Sequence, residues 1–78
     1  MAIYIPIRKT FEDGSVVEYC YTISGSTGRM WIDKKTGDFT ELESLPSEGM
    51  VEYVARVIHK LKKHWALGEF PDATSWSA

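Results

Sequence analysis

The chain has 78 residues, of which 44% are hydrophobic, 13% aromatic and 26% charged, and its formal net charge is −2. That length suits one small domain whose core depends on a few large rings, and it leaves little room for the concave cavity an enzyme site needs. The acidic balance speaks against general nucleic-acid binding, a lone cysteine, Cys20, excludes an internal disulfide, and no apolar run reaches the ~18 residues of a membrane span. Pro6 interrupts the short apolar start from Ala2 to Ile7, so no secretory segment is expected and the cytoplasm is the expected compartment.

The first expected strand is Ile3 to Phe11. Ile3, Ile5, Ile7 and Phe11 alternate with Tyr4, Pro6, Arg8 and Thr10, and Lys9 is the exception on the apolar side. Pro6 has no N–H to donate, which points to an edge strand or a bulge. A second strand, Ser15 to Ser24, lines up Val17, Tyr19, Tyr21 and Ile23. A two-residue Asp13-Gly14 turn would set the two apolar rows on opposite faces. A three-residue Glu12-Asp13-Gly14 loop, with Gly14 in the left-handed region, instead pairs Ile3, Ile5 and Ile7 with Ile23, Tyr21 and Tyr19, and Arg8 with Glu18. The three-residue loop is the expectation.

Gly25 to Gly28 reads as a turn, and Arg29 to Asp33 as the third strand. Asp33 is placed to accept backbone N–H groups in the following Lys34-Lys35-Thr36-Gly37 turn, where Gly37 supplies a positive φ. In the fourth strand, Asp38 to Glu43, the alternation fails: Met30 and Ile32 oppose Trp31 in parity, and Phe39 opposes Leu42. Either both faces are partly covered or a bulge intervenes.

A Ser44 to Ser47 loop containing Pro46 follows, with Ser47 as the helix N-cap. Met50 to Leu67 then has one reading only. Met50, Val51, Val54, Val57, Ile58, Leu61 and Trp65 make one stripe, with Glu52, Arg56, His59, Lys60 and Lys63 opposite. Charges from Asp38 to Glu52 are all negative and those from Arg56 to Lys63 all positive, as a helix dipole favours; Glu52 also precedes Arg56 by four residues, the favourable order for an ion pair. Gly68 and Pro71 end the helix. The tail, Glu69 to Ala78, has no regular pattern yet carries Phe70 and Trp76, which suggests that it folds back or meets a partner.

The sum is an α+β domain spanning residues 1–78: a four-stranded antiparallel meander, one long C-terminal helix packed on one face, and an irregular tail over 69–78. Its chemistry-bearing residues read as structural. Cys20 lies on the face away from the only histidines, and His59 and His64, five apart, do not share a helix face, so neither a nucleophile nor a metal site is expected. Asp13, Asp33 and Asp38 all neighbour turn glycines. No cofactor is expected, and the chain reads as a non-enzymatic protein.

The sheet face without a helix is the promising surface. It presents Tyr4, Pro6, Arg8, Thr10, Val16, Glu18, Cys20 and Thr22, with Trp31 joining them. Tyrosine, tryptophan and arginine are the residue types that carry protein–protein contacts. Tyr4, Arg8 and Trp31 on this face, with Trp76 in the aromatic tail, are therefore the expected partner-binding residues, the partner being another protein or a second copy of the chain. The general shape looks like that of many short bacterial interaction proteins, including immunity proteins that neutralise a toxin domain, which implies binding and inhibition of a protein. The alternative is a nucleic-acid-binding accessory protein that uses Arg56, Lys60 and Lys63 on the basic helix face.

Overall fold

A computed structural model describes residues 4–23, 25–43 and 51–77. It shows an α+β fold of one antiparallel sheet with one helix packed on it, in the order β1 (Tyr4–Glu12), β2 (Val16–Ile23), β3 (Ser26–Asp33), β4 (Phe39–Glu43), α1 (Val51–Ala66) and β5 (Ala73–Ser77). The expected meander is there, but the sheet has five strands, in the spatial order β4-β3-β2-β1-β5. The tail expected to be irregular forms β5 and pairs antiparallel with β1, from Tyr4↔Ser77 to Arg8↔Ala73. Ile3, Met50 and the Ser47 cap lie outside the described residues.

β1 is thus an interior strand, and its proline is accommodated by direction rather than by an edge. The Lys9 N–H donates to the Asp72 carbonyl at 2.8 Å. Backbone groups alternate along a strand, so Ile5 and Ile7 also point toward β5, while Pro6 and Arg8 point toward β2. The β1–β2 ladder accordingly starts at Ile7↔Tyr21, immediately past Pro6.

The register between β1 and β2 differs from expectation. Ile7 pairs with Tyr21 and Arg8 with Cys20, and then a bulge at Thr10 shifts the pairing so that Phe11 meets Glu18 and Glu12 meets Val17. The connection is Asp13-Gly14-Ser15, one residue later than the expected loop, and the Asp13 N–H donates to the Val16 carbonyl at 3.0 Å. Asp13 closes it by accepting the N–H groups of Ser15 (2.7 Å) and Val16 (2.8 Å) on Oδ1. Gly14 does not have a positive φ. Ile5 and Ile7 still share a face with Tyr19 and Tyr21, as expected, because the shift in the body of the hairpin is by two residues, which preserves parity. The turn from β2 to β3 is tighter than expected: Ile23 pairs with Ser26, and Gly25 takes a φ of 82°. Gly28 lies within β3 opposite Tyr21.

The β3–β4 turn follows the sequence reading. Asp33 Oδ1 accepts the N–H groups of Lys35 (2.8 Å) and Thr36 (3.1 Å), and Gly37 has a φ of 78°. The broken alternation of the fourth strand resolves as a bulge. Met30 pairs with Glu41 but Arg29 with Glu43, so Leu42 is the extra residue and stands exposed.

The core lies between the sheet and α1: Ile5, Ile7, Val17, Tyr19, Tyr21, Ile23, Met30, Ile32, Val57 and Leu61 are all buried. Trp65 extends it to the β3–β4 turn, where its Nε1 donates to the Lys34 carbonyl at 2.9 Å. The helix ends in a Schellman arrangement. Gly68, with φ 71°, donates to the Trp65 carbonyl (2.9 Å), and Glu69 donates to that of His64 (2.9 Å).

A polar clasp then carries the chain into β5. Lys9, on the inner face, donates through Nζ to Glu12 Oε1 (2.6 Å) and to the Phe70 carbonyl (2.9 Å), and lies 3.2 Å from Asp72. Lys34 holds the other Glu12 oxygen at 2.7 Å, and the Tyr19 hydroxyl donates to the Pro71 carbonyl at 2.9 Å. The one polar residue on the apolar side of the first strand is thus an anchor for the tail.

Candidate functional site

Alternation along β1, β2 and β3 sends one set of side chains into the core and the other onto the face opposite α1. No described element covers that outer face. Cross-strand pairing arranges it in rows. Phe11, Glu18, Trp31 and Thr40 form one, and Arg8, Cys20 and Arg29 the next. Beyond them a shallow hollow of ≈ 350 Å³ is bounded by Tyr4, Pro6, Arg8, Cys20, Thr22 and Ala73.

Glu18 organises the aromatic row. Its Oε2 accepts the Thr10 hydroxyl at 2.6 Å, and its Oε1 accepts the Trp31 indole N–H at 3.0 Å. Arg29 Nη1 lies 3.7 Å from the same carboxylate. The Thr10 hydroxyl first, and then the Trp31 indole, hold the Glu18 carboxyl below its ordinary range. The indole is thereby fixed in orientation while 39% of the residue remains exposed, beside Phe11 at 49%. Tyr4, 64% exposed, stands at the far end of the face.

The structure therefore brings Tyr4, Arg8 and Trp31 onto one surface, but it separates Trp76 from them. Trp76 pairs with Ile5 on the core side of β5, half-buried, and the Arg56 guanidinium sits 4.8 Å from its ring centre. A strand places neighbouring residues on opposite faces, and Trp76 has the inward parity. Arg56 thus stacks on Trp76, and the Glu52–Arg56 ion pair suggested by their spacing is not formed. His64 turns toward β5 and meets the Thr74 hydroxyl at 3.2 Å. Arg56, Lys60 and Lys63 share one flank of α1; Lys60 is half-buried, and Arg56 and Lys63 are exposed.

Sequence reasoning missed Phe11 and Leu42 as surface groups, because each owes its exposure to a bulge. For Phe11 polarity gives no signal: the bulge at Thr10 leaves the charged Lys9 inward and sends the aromatic Phe11 outward. None of the protein-family models, curated proteins or solved structures compared with this chain matches it.

Proposed function

We propose that this chain is a non-enzymatic protein-binding module that engages a separate protein through the outer face of its sheet. The observation that carries the reading is the row Phe11–Glu18–Trp31, in which an exposed indole is held rigid by a carboxylate already committed to three neighbours. A pre-oriented aromatic loses little entropy on binding, and rigid aromatics with arginine are what dominate interface energetics. Arg8 adds a cation with no carboxylate within 4 Å among the described residues.

That cation also argues for a partner other than a second copy. Among the described side chains of the same face, another copy offers it little, since Glu18 is engaged and Asp33 serves its turn. The matching surface is an apolar patch bearing an acidic group.

The test is capture from native lysate with the unaltered chain, with Arg8→Ala/Trp31→Ala, and with Arg56→Ala/Lys60→Ala/Lys63→Ala, circular dichroism checking each fold. A defined polypeptide retained by the first and third but lost by the second is the expected result. Equal retention by all three overturns the assignment to the sheet face. Nucleic acid released at low salt and lost only with the helix variant moves the function to α1, and recovery of the bait alone as a dimer makes the partner a second copy.

A further inference from the structure

The two edges of the sheet are built differently. β4 ends one side with a bulge at Leu42 and two glutamates, Glu41 and Glu43, in its sequence. Bulges and charges are the usual protection of an edge against strand pairing. β5 ends the other side with Ala73, Thr74, Ser75, Trp76 and Ser77, which contain no charge and no proline, and its pairing with β1 shows no bulge. The Lys9–Asp72 bond fixes which backbone groups face which way: Thr74 and Trp76 point toward β1, and Ala73, Ser75 and Ser77 point outward. Three successive outward N–H and C=O pairs therefore lack a neighbouring strand among the described residues.

A basic flank overlooks this edge. Arg56 touches Trp76 and His64 touches Thr74, so α1 runs antiparallel to β5, and Lys60, four residues from each, lies on the same stripe between them. Lys63 is beside them, and none of Arg56, Lys60 and Lys63 has a carboxylate within 4 Å among the described residues. A groove of ≈ 340 Å³ lies between helix and strand, lined by Glu52, Ala55, Arg56, His59 and Trp76.

We infer that the free edge of β5 is a strand-addition site for an extended acidic peptide. The peptide main chain pairs with Ala73, Ser75 and Ser77, one of its side chains enters the groove against Trp76, and its carboxylates meet Arg56, Lys60 and Lys63. A second copy fits poorly as the occupant. Joining β5 to β5 about a twofold axis turns the two cationic flanks toward each other, and like charges there oppose association. A nucleic acid has no use for outward main-chain groups at strand spacing. The groove and its cations lie on the helix side of the sheet, opposite the outer face, whose hollow Ala73 of β5 also borders.

The test uses the full chain and three capped synthetic peptides: one alternating Glu with Val, one alternating Lys with Val, and the first N-methylated at every second residue. Amide exchange and chemical shifts are followed by nuclear magnetic resonance. The Glu peptide is expected to bind with a Kd below about 1 mM, to weaken with added salt, and to slow exchange at Ala73, Ser75 and Ser77. The Lys and N-methylated peptides are expected to bind more weakly. Arg56→Gln/Lys60→Gln should weaken the Glu peptide about tenfold, two surface charge pairs being lost. Ser75→Pro, which removes only an outward N–H, should abolish slowing at that edge; Arg8→Ala/Trp31→Ala should change nothing. No binding by the Glu peptide at about 1 mM, equal binding of the Glu and Lys peptides, or protection elsewhere than β5 overturns the inference. So does a dimer already protecting β5 without peptide, or displacement of the peptide by a single-stranded oligonucleotide.

Discussion

Gly28 has no side chain because Tyr21 occupies the place where one would be. A Cβ added at Gly28 would lie 2.6 Å from the Tyr21 Cζ and hydroxyl oxygen and 2.7 Å from Cε2, where ordinary contact begins at 3.4 Å. The ring must retreat to make room, yet Tyr21 is fully buried among the inner residues of the sheet. Such overpacking costs ~1–3 kcal/mol, and alanine recovers roughly 0.5–1 kcal/mol through lower chain entropy than glycine. Gly28→Ala should therefore destabilise by up to ~2.5 kcal/mol, which for a domain of this size lowers Tm by as much as roughly 20 °C. Paired urea denaturation curves at constant slope measure it. The contact itself is isolated by a double-mutant cycle with Tyr21→Leu, in which Gly28→Ala should cost little. Equal costs of Gly28→Ala in both backgrounds would refute the steric account. Tyr21→Phe gives a companion result, because that hydroxyl is buried without a hydrogen-bond partner among the described residues. Its removal should be neutral or stabilising.

At acid pH the clasp should fail. Lys34, and then Lys9, pull the Glu12 carboxyl from its ordinary 4.5 down to about 2, so the stability it contributes is complete above 4.5 and is lost as pH falls toward 2. Glu12→Gln should flatten the acid limb of urea midpoint against pH; an unchanged slope would remove Glu12 from the account, leaving Asp13 and Glu18, whose carboxyls are also held low. At alkaline pH the sign reverses. Burial raises the Tyr19 and Tyr21 phenols from 10 to about 12, so their contribution is complete below 10 and lost as pH rises through 12. Tyr19 and Tyr21 should thus resist ionisation in a phenolate absorbance titration until the chain unfolds, and their titration near 10 in the folded chain would contradict their burial.

What could be read from the sequence follows the length of the pattern. α1 carries sixteen residues of helical period and a glycine terminator, and the structure places it within a residue of expectation. The inward parity of Ile5, Ile7, Val17, Tyr19, Tyr21 and Ile23 was equally legible. The register was not, because the loop falls one residue later than its composition suggests and a bulge at Thr10 interrupts the pairing. β5 escaped because five residues with only Thr74 and Trp76 facing inward make too short an alternation, and because its stability comes from distant partners, Lys9 and Tyr19, rather than from its own composition. Of the candidate surface, Tyr4, Arg8 and Trp31 were found through parity. Trp76 belongs to the tail, and a segment without an assigned strand has no parity from which to read its face.

The adjacency of β1 and β5 also orders assembly. Pairing Arg8 with Ala73 closes a loop of about 65 residues, which costs about 2 kcal/mol more than closing a hairpin of roughly ten. Loop-closure cost therefore predicts that the meander and helix form first from near contacts and that β5 joins last, guided by groups already in place. Until then the Ile5 and Ile7 amides on β1 face water, with an isoleucine row behind them. The final strand is both a late guest of the sheet and the cover for its most adhesive flank.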